Sequence, residues 1–440
     1  NKGMSIGEII SANMSKRAKR LFIIFSYLTL ILVVAAFASI VASTFGATFD
    51  ESGAVDMVKS ETPASVAMIS LLFIVIAIVF GFCVYRRNMP MGIASVVGVL
   101  AIIGIMAVGM NFHPIYLSTK TWMWIVGLYI AIASVTPVWI LLQPRDYLSS
   151  FLLYAMLAVA IFAVVVGHPT FDASFPAFGG FAVDNGNGTQ YLFPVLFTTV
   201  ACGAISGFHS TQCTMIGRSV RHEKEGKMTF YGTMILEGLI AMIWAAAAMG
   251  LYNSGSTAGA TAAVGEVAKG LLGPVGGIIA ILGVIVLPIT SGDTALRSCR
   301  LMIADYIHYD QRKKKNRVIL TICMFVPVIA ILVFAKLNAE GFNILWRYFA
   351  WSNQTIAVFA FAAITVYLMA KKGSAKWVFL VPLVPGSFYM FVISSFILSA
   401  KIGFGLSMNV AYIIAAILTA VYAVGVYMLG RKYAAKHTEE

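Results

Sequence analysis

Charged residues are scarce in this sequence, and long hydrophobic runs take their place. Charged side chains make up 11% of the 440 residues and hydrophobic side chains 60%, whereas an ordinary soluble domain has about 25% charged and roughly 45–50% apolar residues. This balance excludes a soluble protein, because a domain of this size could not bury so much apolar surface. A bilayer core accommodates helices of about 20 apolar residues, and the runs lack the alternation of barrel strands. The sequence therefore predicts an all-α polytopic membrane protein.

Cysteines and enzyme motifs are also scarce. The five cysteines are scattered, without a CxxC pair and without a histidine at ligand spacing, so they indicate neither a disulfide framework nor a metal site. The sequence lacks a P-loop, an HExxH motif and a GxSxG motif, which would mark nucleotide hydrolysis, zinc hydrolysis and serine hydrolysis. We therefore predict that the protein is not an enzyme and needs no cofactor beyond a possible coupling ion, Na⁺ or H⁺.

The net charge of +13 would suit a nucleic-acid-binding face, but no soluble domain is present to carry one. Membrane topology explains the charge better. About 12 apolar segments, each of spanning length, alternate with polar loops, and most of the 31 Lys and Arg residues fall on one side, including the basic run 312–317. By the positive-inside rule that side is cytoplasmic. Both ends of the chain are therefore predicted in the cytoplasm, and the acidic loop 168–190 outside.

The sixth apolar segment ends in a polar run that follows two glycines. Gly203 and Gly207 lie four residues apart, and the polar side chains that come next are His209, Ser210, Thr211 and Gln212. Such a run makes a poor lipid-facing helix, so it favours a discontinuous helix whose freed groups line a substrate cavity. Close helix packing at the glycines is the alternative interpretation. Histidine titrates in the physiological range, which suits proton coupling.

The eighth segment places a carboxylate among hydroxyl groups at membrane depth. Next to Pro288 the oxygen-bearing side chains are Thr290, Ser291, Asp293 and Thr294. Oxygen ligands of this kind suit Na⁺, and a protonatable aspartate suits H⁺, so we predict an ion-coupling role. Pairing of Asp293 with Arg297, one helical turn away, is the alternative. Glu237 in the seventh segment is a second intramembrane acid, which we expect either to find a partner or to take a proton.

The tenth segment is too polar for simple lipid contact. Its polar residues include Trp351, Asn353 and Gln354, which we predict to line the substrate site or to hydrogen-bond neighbouring helices. Arg347 is expected either to face an anionic solute from the outer half or to extend towards the outer headgroups.

Several stretches together resemble the carbon starvation protein A family of bacterial membrane transporters. They are TPVWILLQPRDYLSSFLLY at 136–154, ACGAISGFHSTQC at 201–213, FYGTMILEGLIAMIWAAAAMGLY at 230–252, VIVLPITSGDTALRSCRLMIADY at 284–306 and LWRYFAWSNQTIA at 345–357. The chain is similar to the shorter branch of the family. Its first residues resemble the stretch that follows the early spans of family members, so the resemblance implies that those N-terminal spans are absent.

The resemblance implies uptake of a small nutrient, peptides or pyruvate, under carbon starvation, driven by an H⁺ or Na⁺ gradient across the bacterial inner membrane. It also implies a LeuT-like inverted-repeat core, as in the amino acid–polyamine–cation superfamily, with residues 207–210 matching a broken helix. Thr290 and Ser291 would match the helix that helps hold a coupling cation. We expect one integral membrane unit, with a transport core over 1–310 and further transmembrane helices over 311–440. A channel, or a membrane-embedded sensor or enzyme, is the competing function.

We predict that the basic run 312–317 faces the cytoplasm and that the loop 168–190 faces outward. In a protein whose native cysteines are replaced, an impermeant thiol reagent added to intact cells should label Asp172→Cys. The matched variant Lys314→Cys should react only after the membrane is opened, because positively charged loops are retained inside. Labelling of Lys314→Cys in intact cells would contradict the topology.

Overall fold

The computed structural model of the chain describes residues 5–167, 180–184, 189–253, 289–338, 341–371, 373 and 375–438. Most of these residues are helical. The first helices are α1 (Ile6–Asn13), α2 (Lys16–Phe45), α3 (Met57–Arg86), α4 (Met91–Asn111), α5 (Thr119–Val135) and α6 (Leu142–Gly167). A two-stranded antiparallel hairpin follows, formed by β1 (Ala182–Asp184) and β2 (Thr189–Tyr191).

The second half of the described chain continues with helices. They are α7 (Leu192–Thr199), α8 (Ala201–Ala204), α9 (Gly207–Ser219), α10 (Thr233–Asn253), α11 (289–306), α12 (Lys314–Leu337), α13 (Gly341–Ala370), α14 (Leu380–Ser399) and α15 (Met408–Thr438). A short 3₁₀ turn and one π-helical turn, Lys227–Gly232, lead into α10.

Eight helical stretches of the described chain are long and apolar enough to cross a membrane. They include α2, α3, α4, α12, α13, α14 and α15, and a stretch over Glu223–Gly250 that contains most of α10. The prediction of a helical, multi-spanning protein is confirmed. Four other segments were predicted. The fourth and fifth correspond to α5 and α6, and the sixth corresponds to the interrupted series α7–α9. Most of the eighth segment, with Pro288, lies outside the described residues.

Side-chain caps mark the starts of several helices. Ser15, Asp56 and Ser118 stand immediately before α2, α3 and α5, and each side chain accepts a hydrogen bond from a backbone N–H in the first turn. Such caps satisfy donors that have no partner inside the helix. At Asp56 the hydrogen bond from the Lys59 amide also holds the pKa of the carboxyl below its usual value.

The helix α2 lies at the centre of the bundle, against α13, α5 and α12. Its buried face carries several alanines, among them Ala35, Ala36, Ala38 and Ala42. Small side chains let helix backbones approach closely, which is how helices associate where lipid removes the hydrophobic driving force. The C-terminal helices α13, α14 and α15 pack on one another, and α13 also contacts α2 and α9. This position of α13 brings the tenth predicted segment against the polar run of the sixth.

Candidate functional site

The sixth predicted segment is interrupted, as its glycines and polar run indicate. α8 ends at Ala204, and α9 begins at Gly207. Between them Ser206 has an extended backbone, with φ −114° and ψ 119°. The prediction that no single helix runs through residues 203–214 is therefore confirmed. The polar residues 209–212 occupy the first turns of α9, directly after the break.

The start of α9 rests on the backbone of α13. A Cβ atom on Gly207 would overlap the carbonyl oxygen of Asn353 and would lie 2.5 Å from the amide nitrogen of Ala357. Real Cβ atoms do not approach a backbone that closely, so the contact requires glycine. Gly207 therefore does both things that were considered for it: it packs closely against a neighbouring helix, and it lies at the break.

Asn353 of α13 supplies a hydrogen-bond acceptor at the break. Its side chain is fully buried, and its Oδ1 accepts from the backbone N–H of Phe208 at 2.6 Å and from the Ser206 hydroxyl at 3.3 Å. The first N–H groups of any helix have no partner within that helix, and Asn353 satisfies one of them from a neighbouring helix. Without water in the bilayer core, such a partner has to come from the protein.

Trp351 and Gln354, the other two predicted residues of this part of α13, also make hydrogen bonds between helices. Gln354 donates to the carbonyl of Phe197 in α7, and the indole of Trp351 donates to the carbonyl of Ile393 in α14 at 3.0 Å. Trp351, Asn353 and Gln354 thus hydrogen-bond neighbouring helices, as one of the two interpretations predicts, and their contact with a substrate stays a prediction. Arg347 lies on an exposed part of α13.

His209 and Glu237 join α9 to α10. The His209 Nε2 atom lies 3.1 Å from a carboxylate oxygen of Glu237, and the two side chains are 41% and 36% exposed. Glu237 therefore has the partner that an intramembrane acid requires. The hydroxyls of Ser210 and Thr211 donate back to the carbonyls of Gly207 and Phe208 in their own helix.

Gln212 connects the broken helix to α11. The Ser298 hydroxyl donates to its Oε1 at 2.9 Å, and its Nε2 donates to Thr211 at 3.2 Å. Beside this contact lies a cavity of about 20 Å³, which has room for roughly one water molecule. Its lining comes from α1, α9 and α11: Ser5, Ile6, Thr211, Met215, Ser298, Leu301, Met302 and Asp305.

Asp293 of α11 forms a buried ion pair with Arg145 of α6. The carboxylate is fully buried and the guanidinium is 2% exposed. Nη1 lies 2.6 Å from Oδ2 and Nη2 lies 3.3 Å from Oδ1, so both carboxylate oxygens are engaged. Nη1 also donates to the Tyr129 hydroxyl at 2.7 Å, and the Thr294 hydroxyl donates to Oδ1 at 3.3 Å. Thr290 and Ser291 lie half-buried in the preceding turn of α11.

The expected alternative partner of Asp293, Arg297, binds elsewhere. Its Nη2 donates to the carbonyls of Ala133 and Thr136 at 2.8 and 2.6 Å, and Arg300 donates to the carbonyl of Ser134 at 3.1 Å. These carbonyls end α5, because Pro137 cannot continue a helix and disfavours helical backbone before it. Cations stabilise the negative end of a helix. The pairing of Asp293 with Arg297 is therefore wrong, and two arginines of α11 cap α5 instead.

Arg145 is the residue that sequence reasoning missed. Its position with Asp146 after Pro144 is typical of a cytoplasmic turn or gate, whereas α6 already begins at Leu142. Proline is well tolerated in the first turn of a helix, so Arg145 is helical and buried. A sequence signal was present, since only the four residues 143–146 separate the two apolar segments, too few for a long loop.

Comparison with known proteins gives one family and several relatives. The family model described as Carbon starvation protein CstA matches residues 1–271 and 256–395. A protein of Mycobacterium tuberculosis (strain ATCC 25618 / H37Rv) named Peptide transporter CstA is 32% identical over 335 residues, which cover 59% of this chain and 44% of that protein. One of Escherichia coli (strain K12) named Pyruvate/proton symporter BtsT is 28% identical over 272 residues, covering 58% and 35%.

The chain spans less than half the length of these two relatives. Among solved structures, a mutant of the manganese transporter of Eremococcus coleocola aligns over 98% of this chain and 92% of that chain. Its TM-score is 0.46 and its sequence identity 12%.

We predict that Gly207→Ala separates α9 from α13 and destabilises the protein by about 1–3 kcal/mol, the usual cost of overpacking. The measurement is the melting temperature of the purified protein in detergent. Gly217→Ala is the matched control, because it lies on the same helix and an added Cβ there meets no atom within 4 Å. Equal melting temperatures for the two variants would show that the close contact at Gly207 is not required.

Proposed function

The chain belongs to the carbon starvation protein CstA family, and from that membership we propose that it is a secondary active transporter that imports a small nutrient. The two relatives described above bear transporter names, which indicate a transporter rather than an enzyme. The proposed substrate is a peptide or pyruvate, because these are the substrates in the names of the two relatives. The proposed driving force is an H⁺ or Na⁺ gradient across the bacterial inner membrane, used when carbon is scarce.

We further propose a core of about 12 membrane-spanning helices, arranged as LeuT-like inverted repeats, with both ends of this chain in the cytoplasm. The break between α8 and α9 supports this arrangement, because transporters of that kind bind substrates where helices are discontinuous. The proposed substrate site is formed by the start of α9 after the break and by the adjoining part of α13: Gly207, His209, Ser210, Thr211, Gln212, Trp351, Asn353 and Gln354.

The observation that carries the proposal is the buried ion pair of Arg145 and Asp293. Burying two charges costs several kcal/mol per ion even after relaxation, so a buried pair is weak evidence for a purely structural role. Ionisable residues inside the membrane commonly mark ion and substrate pathways. An ion pair shared by two helices can adopt two arrangements, one with the charges together and one with each charge bound to another partner. A carrier needs such a two-state element.

We propose that Asp293 binds the coupling ion together with side-chain oxygen atoms of Thr290, Ser291 and Thr294, which lie in the same part of α11. The pair of His209 and Glu237, at 3.1 Å, is a second proton-exchanging candidate, because histidine changes charge near neutral pH. A channel would also use discontinuous helices. Saturable uptake against a gradient separates the carrier from the channel.

The test is uptake by the purified protein in liposomes, with labelled pyruvate compared with labelled di- and tripeptides under imposed H⁺ or Na⁺ gradients. Saturable accumulation of one substrate class above equilibrium is the expected result. Equilibration without accumulation under both gradients would favour a channel, and absence of any flux would refute the transport proposal for this chain.

We predict that Asp293→Asn abolishes gradient-driven accumulation while exchange of internal for external substrate continues. The same change strands Arg145, so stability should fall by about 3–5 kcal/mol, the usual cost of breaking a buried ion pair. The double variant Asp293→Asn/Arg145→Gln removes both charges and should recover most of that stability, yet it should still fail to accumulate substrate. Full accumulation by a folded Asp293→Asn protein would exclude Asp293 from coupling.

A further inference from the structure

The charges around Arg145 are balanced differently from those of its neighbouring arginines. Arg145, Arg297 and Arg300 are 2%, 6% and 2% exposed. Arg297 and Arg300 bind the carbonyl end of α5, whose helix dipole places a partial negative charge there. Arg145 has a whole carboxylate instead, from Asp293. Its contact with Asp146, at 3.3 Å, reaches a side chain that is 50% exposed.

Any cation that binds Asp293 neutralises the one buried counter-charge that Arg145 has among the described residues. An unpaired guanidinium buried at this depth is strongly unfavourable. The other groups that face it are the Tyr129 hydroxyl, Asp146 and, on the far side of Asp293, Arg297. Of these, only Asp146 is acidic, and it is half exposed. Arg145 therefore needs a second anion whenever Asp293 is neutralised.

Arg145 has the geometry to accept that anion. A guanidinium presents five N–H donors in a planar fork that matches a carboxylate. Both terminal nitrogens are engaged with Asp293, whereas the buried Nε atom has no hydrogen-bond partner among the residues that the structure describes. The Nε donor is thus unused while the pair is closed, and the two terminal nitrogens become free for a second carboxylate as Asp293 leaves.

The ion pair is also connected to the broken helix. α11 carries Asp293 and, five positions later, Ser298, which donates to Gln212 of α9 at 2.9 Å. A change in the partner of Asp293 therefore acts on the helix that contacts the proposed substrate site. The two proposed substrate classes share one chemical group, since pyruvate and the C-terminus of a peptide both end in a carboxylate.

We propose that Arg145 is the receptor for the substrate carboxylate, which takes the place of Asp293 on the guanidinium when Asp293 binds the coupling cation. The inference rests on the proposed transport function for its substrate, but the carboxylate site itself can be tested without transport. In this exchange each charge keeps a partner at every step. The cation stays on Asp293, the substrate anion stays on Arg145, and the pair closes again after both have left.

Chemical rescue is the direct test. In purified Asp293→Asn protein, Arg145 lacks its partner, so acetate or pyruvate should raise the melting temperature in a saturable manner, whereas acetamide and pyruvamide at equal concentration and ionic strength should not. The double variant Asp293→Asn/Arg145→Gln should show no difference between acid and amide. Equal effects of acid and amide on Asp293→Asn would overturn the proposal.

Substrate selectivity gives the second measurement. Binding of labelled pyruvate or dialanine to Asp293→Asn protein should be competed by the acids and not by their amides. The double variant should bind the acids at least about 30-fold more weakly, the loss expected when one partner of a buried charge pair is removed. Arg347→Gln is the matched control, because this arginine lies exposed on α13. Loss of selectivity in Arg347→Gln rather than in the double variant would assign the receptor to Arg347.

The two proposals fail in different ways. Rescue of Asp293→Asn by carboxylates without any flux in liposomes would leave the carboxylate site standing and refute transport by this chain. Saturable, gradient-driven accumulation without rescue and without preference for acid over amide would leave the transporter standing and refute the role of Arg145.

Discussion

A bilayer core offers no water to a polar group, so each polar group at that depth has to find its partner within the protein. This constraint accounts for the arrangement of the described helices. Pro137 ends α5 and exposes its last carbonyls, and two arginines of α11 bind them. The break at Ser206 exposes the first N–H groups of α9, and Asn353 accepts from one of them. Each of these two irregularities is matched by a side chain on another helix.

The helix α11 connects these solutions. In α11, Asp293 forms the ion pair with Arg145 of α6, and Arg297, one turn later, donates to the carbonyl end of α5. Ser298 donates to Gln212 of α9. Because α11 is bonded to three other helices, a shift of any one of them is transmitted to α11. The candidate ion site and the candidate substrate site are therefore parts of one connected structure, although the sequence separates Gln212 from Asp293 by a long stretch.

Local features were predictable from the sequence, and long-range partners were not. Apolar runs predicted the helices, because length and hydropathy are properties of a single segment. Gly203, Gly207 and the polar run predicted the break, since glycine and polar side chains weaken one helix. The partner of Asp293 escaped, because sequence spacing suggests only neighbours such as Arg297, whereas Arg145 lies 148 residues away. The role of Asn353 as a cap depends in the same way on a contact between two helices.

The capping of α5 by α11 has a mechanical consequence. Hydrogen bonds from a guanidinium are about twice as strong as those between neutral groups, and several of them fasten α11 to α5 and α6. The hydrogen bonds described from α11 to α9 are neutral ones, from the Ser298 hydroxyl to Gln212 at 2.9 Å and to the sulfur of Met215 at 3.5 Å. The stronger hydrogen bonds of α11 are thus those to α5 and α6, and the weaker ones are those to α9. When α11 moves, we therefore expect α5 and α6 to move with it and the contact between α11 and α9 to separate first.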